Sequence, residues 1–137
     1  MLPAQINYWA VLVCAVVAIF IDTLWYSPRV FGRHRLASLR ADGATRLSLN
    51  TMTRLYLNTF LAFLVMSYIL AHFVDYVAAT TVVEGMVTGV WIWLGFVATA
   101  IAINSWFEKR PLRWWLINAG FYLVALAVTG AILAVWA

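Results

Sequence analysis

Charge is scarce in this chain of 137 residues: Asp, Glu, Lys and Arg together make up 10% of it. A soluble domain carries about 25%, and so few charges cannot cover a water-facing surface. An ordinary soluble globule is excluded. Cysteine is nearly absent too. Cys14 stands alone, which excludes a disulfide scaffold and leaves a small apolar packing residue. The residue sets of common catalytic sites are also missing. No Ser/His/Asp or Cys/His set, no phosphate-cradling glycine loop and no helical H-E-x-x-H can be read. An enzyme therefore has no positive support, and no cofactor or metal is implied. What fills the chain is hydrophobic residues, at 66%. Disorder is excluded on that ground, and an integral membrane protein remains. The length suits one domain over residues 1–137.

Four apolar runs predict spans over residues 8–26, 55–73, 85–106 and 112–136. Each approaches the ~20 residues that a helix needs to cross a bilayer. The runs are continuously apolar, without the period-2 alternation of barrel strands, so the fold class is all-α, a four-transmembrane-helix bundle. The first run is read as a retained span, because residues 1–7 carry no Lys or Arg and no small-residue cleavage pattern follows. Ser27-Pro28 stops it. Arg29 to Asp42 mixes Val30, Phe31, Leu36 and Leu39 with arginines, which predicts a short interfacial helix between helices one and two, with Gly43 as its end. Thr81-Val82-Val83-Glu84 reads as a capping box opening the third span, and Pro3 and Pro111 suit first-turn positions.

All nine basic residues fall between spans one and two (Arg29, Arg33, Arg35, Arg40, Arg46, Arg54) or between spans three and four (Lys109, Arg110, Arg113). In a cell (inner) membrane the loops 28–54 and 107–113 are then cytoplasmic, and both termini lie outside the cytoplasm. The net charge of +4 acts on topology and on anionic lipid headgroups. Nucleic acid is not a partner, since the basic loops lack aromatic-basic interleaving. Tyr8, Trp9, Tyr76 and Trp136 suit the outer interface; Trp25, Tyr26, Tyr56, Trp106, Trp114 and Trp115 suit the inner one. Trp91, Trp93 and Tyr122 lie well inside the spans and are expected between helices.

Polar residues inside a membrane are costly, so each needs a reason. Asp22, Asn58, Asn104 and Asn118 give each span one strongly polar residue at about the same depth, with Tyr122 one turn above Asn118. Arg54, Glu108 and Arg113 rim that level. The plain reading is an interhelical hydrogen-bond layer, with Asp22 meeting a snorkelling arginine. The sharper one makes Asp22 a titrating or substrate-binding carboxylate. His72, Asp75 and Glu84 at the other face form a weak metal pattern that interfacial solvation and capping explain adequately. His34 is a solvated interfacial residue. The small residues Gly85-x-x-x-Gly89, Gly95, Gly120 and Gly130 allow close helix approach, within the bundle or in a homodimer.

Several segments carry a resemblance. These are Leu24-Trp25-Tyr26-Ser27-Pro28-Arg29-Val30-Phe31-Gly32, Trp93-Leu94-Gly95-Phe96-Val97, Phe107-Glu108-Lys109-Arg110-Pro111, Leu116-Ile117-Asn118-Ala119-Gly120-Phe121-Tyr122 and Gly130-Ala131-Ile132-Leu133. In order and spacing they resemble domain-of-unknown-function family 1761, small four-span and mostly bacterial membrane proteins. The resemblance implies the fold and no activity. Lys109 stands where a small residue, commonly Gly, is expected, and Asp22 where an uncharged one is. The motifs and the polar layer share one face, so the rim of Trp25, Tyr26, Ser27, Pro28, Phe31, Gly32, Arg54, Glu108, Arg110, Pro111 and Arg113 is the candidate site. Two functions remain. One is a structural or accessory subunit in a homo-oligomer or with other membrane subunits. The other is a small oligomeric transporter or channel using Asp22, by analogy of architecture alone.

Overall fold

The computed structural model describes residues 6–27 and 49–136. Among them, four helices are long and apolar enough to span a membrane: α1 (Tyr8–Trp25), α2 (Leu49–Tyr76), α3 (Val82–Phe107) and α4 (Leu112–Val135). The expected interfacial helix at Arg29–Asp42, the Pro28, Phe31 and Gly32 positions, His34, Gly43 and Pro3 lie outside the described residues. Helix α2 starts six residues before the predicted apolar run, because its first turns, with Asn50, Thr51, Thr53 and Arg54, are polar.

Caps fix the helix ends. Asn7 accepts the N–H groups of Trp9 (3.1 Å) and Ala10 (3.3 Å), opening α1. Thr81 accepts the Glu84 N–H (3.2 Å), and the Glu84 carboxylate accepts the Thr81 N–H (3.2 Å), so the capping box of α3 is present. Pro111 sits one residue before the first turn of α4, as its N-cap. Helices α2 and α3 end alike. The Ala79 N–H reaches the Val74 carbonyl and the Ala78 N–H that of Asp75; the Arg110 N–H reaches Ser105 and the Lys109 N–H Trp106. These are Schellman endings. The residue at each bend, Ala78 (φ 55°) and Lys109 (φ 54°), is left-handed. Glycine favours that backbone, which accounts for the small residue expected at position 109.

Helix α4 is the centre of the bundle and touches the other three. Helix α3 packs almost wholly against α4, while α1 lies between α2 and α4. Burial follows this order: 44% of the apolar window of α4 is buried, and 11% of that of α3. Lipid is as apolar as leucine, so close backbone approach has to supply the packing energy. Gly85, Gly89 and Gly130 provide it. A Cβ on Gly85 would lie 2.7 Å from the Ala134 Cβ and against the Gly130 carbonyl, and one on Gly89 would meet the Leu126 carbonyl. The Gly85-x-x-x-Gly89 surface is thus consumed inside the α3–α4 hairpin. Gly95 packs on nothing: a Cβ there meets no atom within 4 Å.

Residues Trp93–Ala98 of α3 form a wide π turn. Gly89 and Ala98 both are buried, yet nine residues separate them, about 180° on a regular helix. The extra residue in the π turn makes up most of that difference and returns Ala98 and Ser105 toward α4.

Candidate functional site

The inner surface of α4 from Trp114 to Tyr122 receives side chains from every other helix. From α1, the Trp25 indole N–H donates to the Ile117 carbonyl (2.9 Å). Its ring lies over Gly120, where a Cβ would be 3.3 Å away. Glycine there leaves room for an indole. Tyr26, the next residue, donates its hydroxyl proton to Asn118 Oδ1 (2.7 Å). Asn118 Nδ2 in turn donates to the Trp114 carbonyl (2.8 Å). From α3, the Trp93 indole N–H donates to the Ala119 carbonyl (2.7 Å). The Trp115 indole answers in the opposite direction, donating to Ala98 O (3.0 Å) at the end of the π turn. From α2, Phe63 meets Phe121 with ring centroids 5.8 Å apart, and Phe121 also touches Tyr26 (5.9 Å) and Tyr122 (4.9 Å).

Three indoles therefore donate to main-chain carbonyls of neighbouring helices. An indole combines a large apolar body with one donor, and in a lipid-surrounded bundle that donor needs a partner. Asp22 lies one turn before Tyr26 and is buried, at 4% exposure. Among the described residues no buried side-chain nitrogen or oxygen lacks a hydrogen-bond partner.

The expected polar layer divides. Asp22, Asn118 and Tyr122 point into the bundle, whereas Asn58 and Asn104 are exposed on α2 and α3 and form no hydrogen bond among the described residues. Equal depth in the sequence does not give equal facing, because α3 packs almost wholly against α4 and the first turns of α2 are exposed. Trp91 corrects the expectation of interhelical packing: it is 69% exposed. Trp25, Tyr26 and Trp115, expected at the inner interface, turn toward the bundle and each hydrogen-bond a neighbouring helix. At the rim, Glu108 contacts Arg110 (3.5 Å), and the Arg110 guanidinium lies 5.5 Å from the Trp114 ring centre. Arg54, Arg113 and Pro111 are exposed, and Ser27 is half-buried. At the opposite end His72 Nδ1 lies 2.9 Å from the Tyr68 carbonyl, and Glu84 serves the capping box. Among the described residues no three His, Cys, Asp or Glu side chains gather to hold a metal.

The indole–carbonyl pairs were not foreseen. A tryptophan is visible in a sequence, but its acceptor is a main-chain atom that every residue possesses. The one available signal was Gly120, placed to admit a ring.

Residues 9–134 match the family described as "Protein of unknown function (DUF1761)". The chain belongs to the DUF1761 family. No curated protein and no solved structure matches it. In this DUF1761 member, Trp25-Tyr26, Trp93 and Ile117-Asn118-Ala119-Gly120 are distant in sequence and in direct contact in the fold.

Proposed function

We propose that this chain is a structural or accessory subunit, packing through α3 in a homo-oligomer or beside other membrane subunits. In this reading it performs no catalysis, needs no cofactor and contacts no nucleic acid. It sits in the cell's inner membrane with its basic end in the cytoplasm and both termini outside. The uneven burial of the helices supports the proposal. Helix α3 has 11% of its apolar window buried, and Trp91, Phe96 and Trp106 on it are 69%, 71% and 73% exposed. Lipid satisfies an apolar face, but it offers no hydrogen bond to Asn104, which is exposed on the same helix. A photo-crosslinking side chain at Phe96, with one at Phe20 of α1 (64% exposed) as control, tests it in native membranes. A protein adduct of defined mass from Phe96 and not from Phe20 supports the subunit role. Lipid adducts alone from both positions would remove it.

The burial of Asp22 favours a second reading, a small oligomeric transporter or channel. A carboxylate inside a membrane bundle marks ion and proton paths. Asp22→Asn would then abolish coupled flux in proteoliposomes while the protein still assembles. Unchanged flux in the variant, or no flux in the parent, would exclude it.

A further inference from the structure

At the end of the bundle where α1 begins and α4 finishes, the ends of α1, α2 and α4 line an open cavity of about 300 Å³. Val74, Leu133 and Ala134 give it an apolar floor, Asp75 and Thr80 stand at its edge, and Trp136 forms one wall. This volume is at the small end for a ligand site. We infer that the cavity binds a small free organic cation of the alkylammonium class, its charge against Asp75 and Trp136 and its methyl groups on the apolar floor.

Three observations carry the inference. First, the Asp75 carboxylate has no hydrogen-bond or ion-pair partner among the described residues, while its main-chain carbonyl is fixed by the Ala78 N–H (3.0 Å). The Schellman ending thus holds the residue in place and leaves the carboxylate available. Second, the described residues at this end carry no fixed positive side chain. Among the described residues there, 6–7, 77–81 and 136 contain no Lys or Arg, and Arg54, Lys109, Arg110 and Arg113 lie at the opposite ends of their helices. Among the described residues, His72, Glu84 and the phenols of Tyr8, Tyr68 and Tyr76 are the other titratable side chains at this end. His72 is turned to the Tyr68 carbonyl and Glu84 to Thr80 and Thr81. Third, an indole and a carboxylate lining one cavity with an apolar floor suit a weakly hydrated ammonium better than an inorganic cation. The ring quadrupole attracts the charge, and the floor accepts the alkyl groups that sodium lacks.

The test uses the full chain in maltoside micelles. Choline is titrated against its neutral carbon isostere, 3,3-dimethylbutanol, with binding read by saturation-transfer NMR and calorimetry. Choline should bind about tenfold more tightly than the alcohol, which corresponds to ~1.4 kcal/mol. Asp75→Asn should erase that preference and Trp136→Leu should weaken it. Both residues are exposed at the surface, so unchanged circular dichroism and micelle elution should accompany the loss. Equal binding of the alcohol, an unchanged preference in Asp75→Asn, or no choline binding at millimolar concentration would overturn the inference. Displacement of choline by added phosphatidylcholine would also overturn it, by assigning the ammonium to a lipid headgroup.

Discussion

Trp93 and Trp115 tie α3 to α4 by hydrogen bonds that run in opposite directions. Trp93 donates from α3 to the Ala119 carbonyl, Trp115 from α4 to the Ala98 carbonyl, and the two rings lie 6.5 Å apart. The pair brackets the π turn, whose first residue is Trp93 and whose last is Ala98. The Trp115 indole adds a donor at the Ala98 carbonyl and the Trp93 indole one at the Ala119 carbonyl of α4, so the two bonds pin both ends of the turn. Trp93→Phe and Trp115→Phe should each lower unfolding stability in micelles by ~1 kcal/mol. The double variant should lose more or less than the sum, because both bonds hold one turn. Strict additivity with no loss in either single variant would separate the indoles from the turn.

Gly85 and Gly130 differ from Gly95 in what surrounds them. A Cβ on either of the first two runs into the facing helix's main chain, which cannot move aside as a side chain can. Gly85→Ala and Gly130→Ala should each destabilise the hairpin by about 1–3 kcal/mol. Gly95→Ala meets open space and should be neutral or stabilise by ~0.5–1 kcal/mol through helix propensity. Denaturant titration of the three variants side by side checks the ranking.

Lys109 occupies a left-handed position at the end of α3. Left-handed backbone costs an L-residue about 1–2 kcal/mol. Lys109→Gly should therefore raise stability by ~1 kcal/mol, and Ala78→Gly at the equivalent bend after α2 should do the same. Thermal unfolding followed by circular dichroism measures both. Lys109→Val should be clearly destabilising, as a branched side chain tolerates this backbone poorly.

Tyr26 and Asn118 join α1 to α4 through one hydroxyl. Tyr26→Phe removes the donor and leaves the Asn118 oxygen without it, at a cost of ~1 kcal/mol. Asn58→Leu and Asn104→Leu should leave the monomer's stability unchanged, since neither amide bonds within the described bundle. A loss in monomer stability on replacing Asn104 would place it inside the fold after all.

Much of the architecture is legible from residue order because the bilayer imposes it. Four apolar runs become four helices, since main-chain groups in lipid must bond within their own segment. The capping box at Thr81 and Glu84 could be read for a related reason: its partners are three residues apart. The family, too, could be recognised from its motifs, and residues 9–134 match it.

Facing was not legible. Asn104 and Asn118 occupy similar depths on adjacent spans, yet one is exposed and the other is bonded to Tyr26. In water, a helix shows its buried side by its polar one. In lipid both sides are apolar, so periodicity says little about which residue meets a neighbour. The π turn also rotates the second half of α3, so extrapolating from Gly85 and Gly89 would misplace Ala98 and Ser105. The sequence by itself determined four spans, the capping box that opens α3 and the family, because each depends on bonds or energies local to a segment. Only the tertiary structure decided which glycines meet main chain, which indoles find a carbonyl and which amides face outward. Those outcomes depend on helix rotation and on acceptors common to every residue.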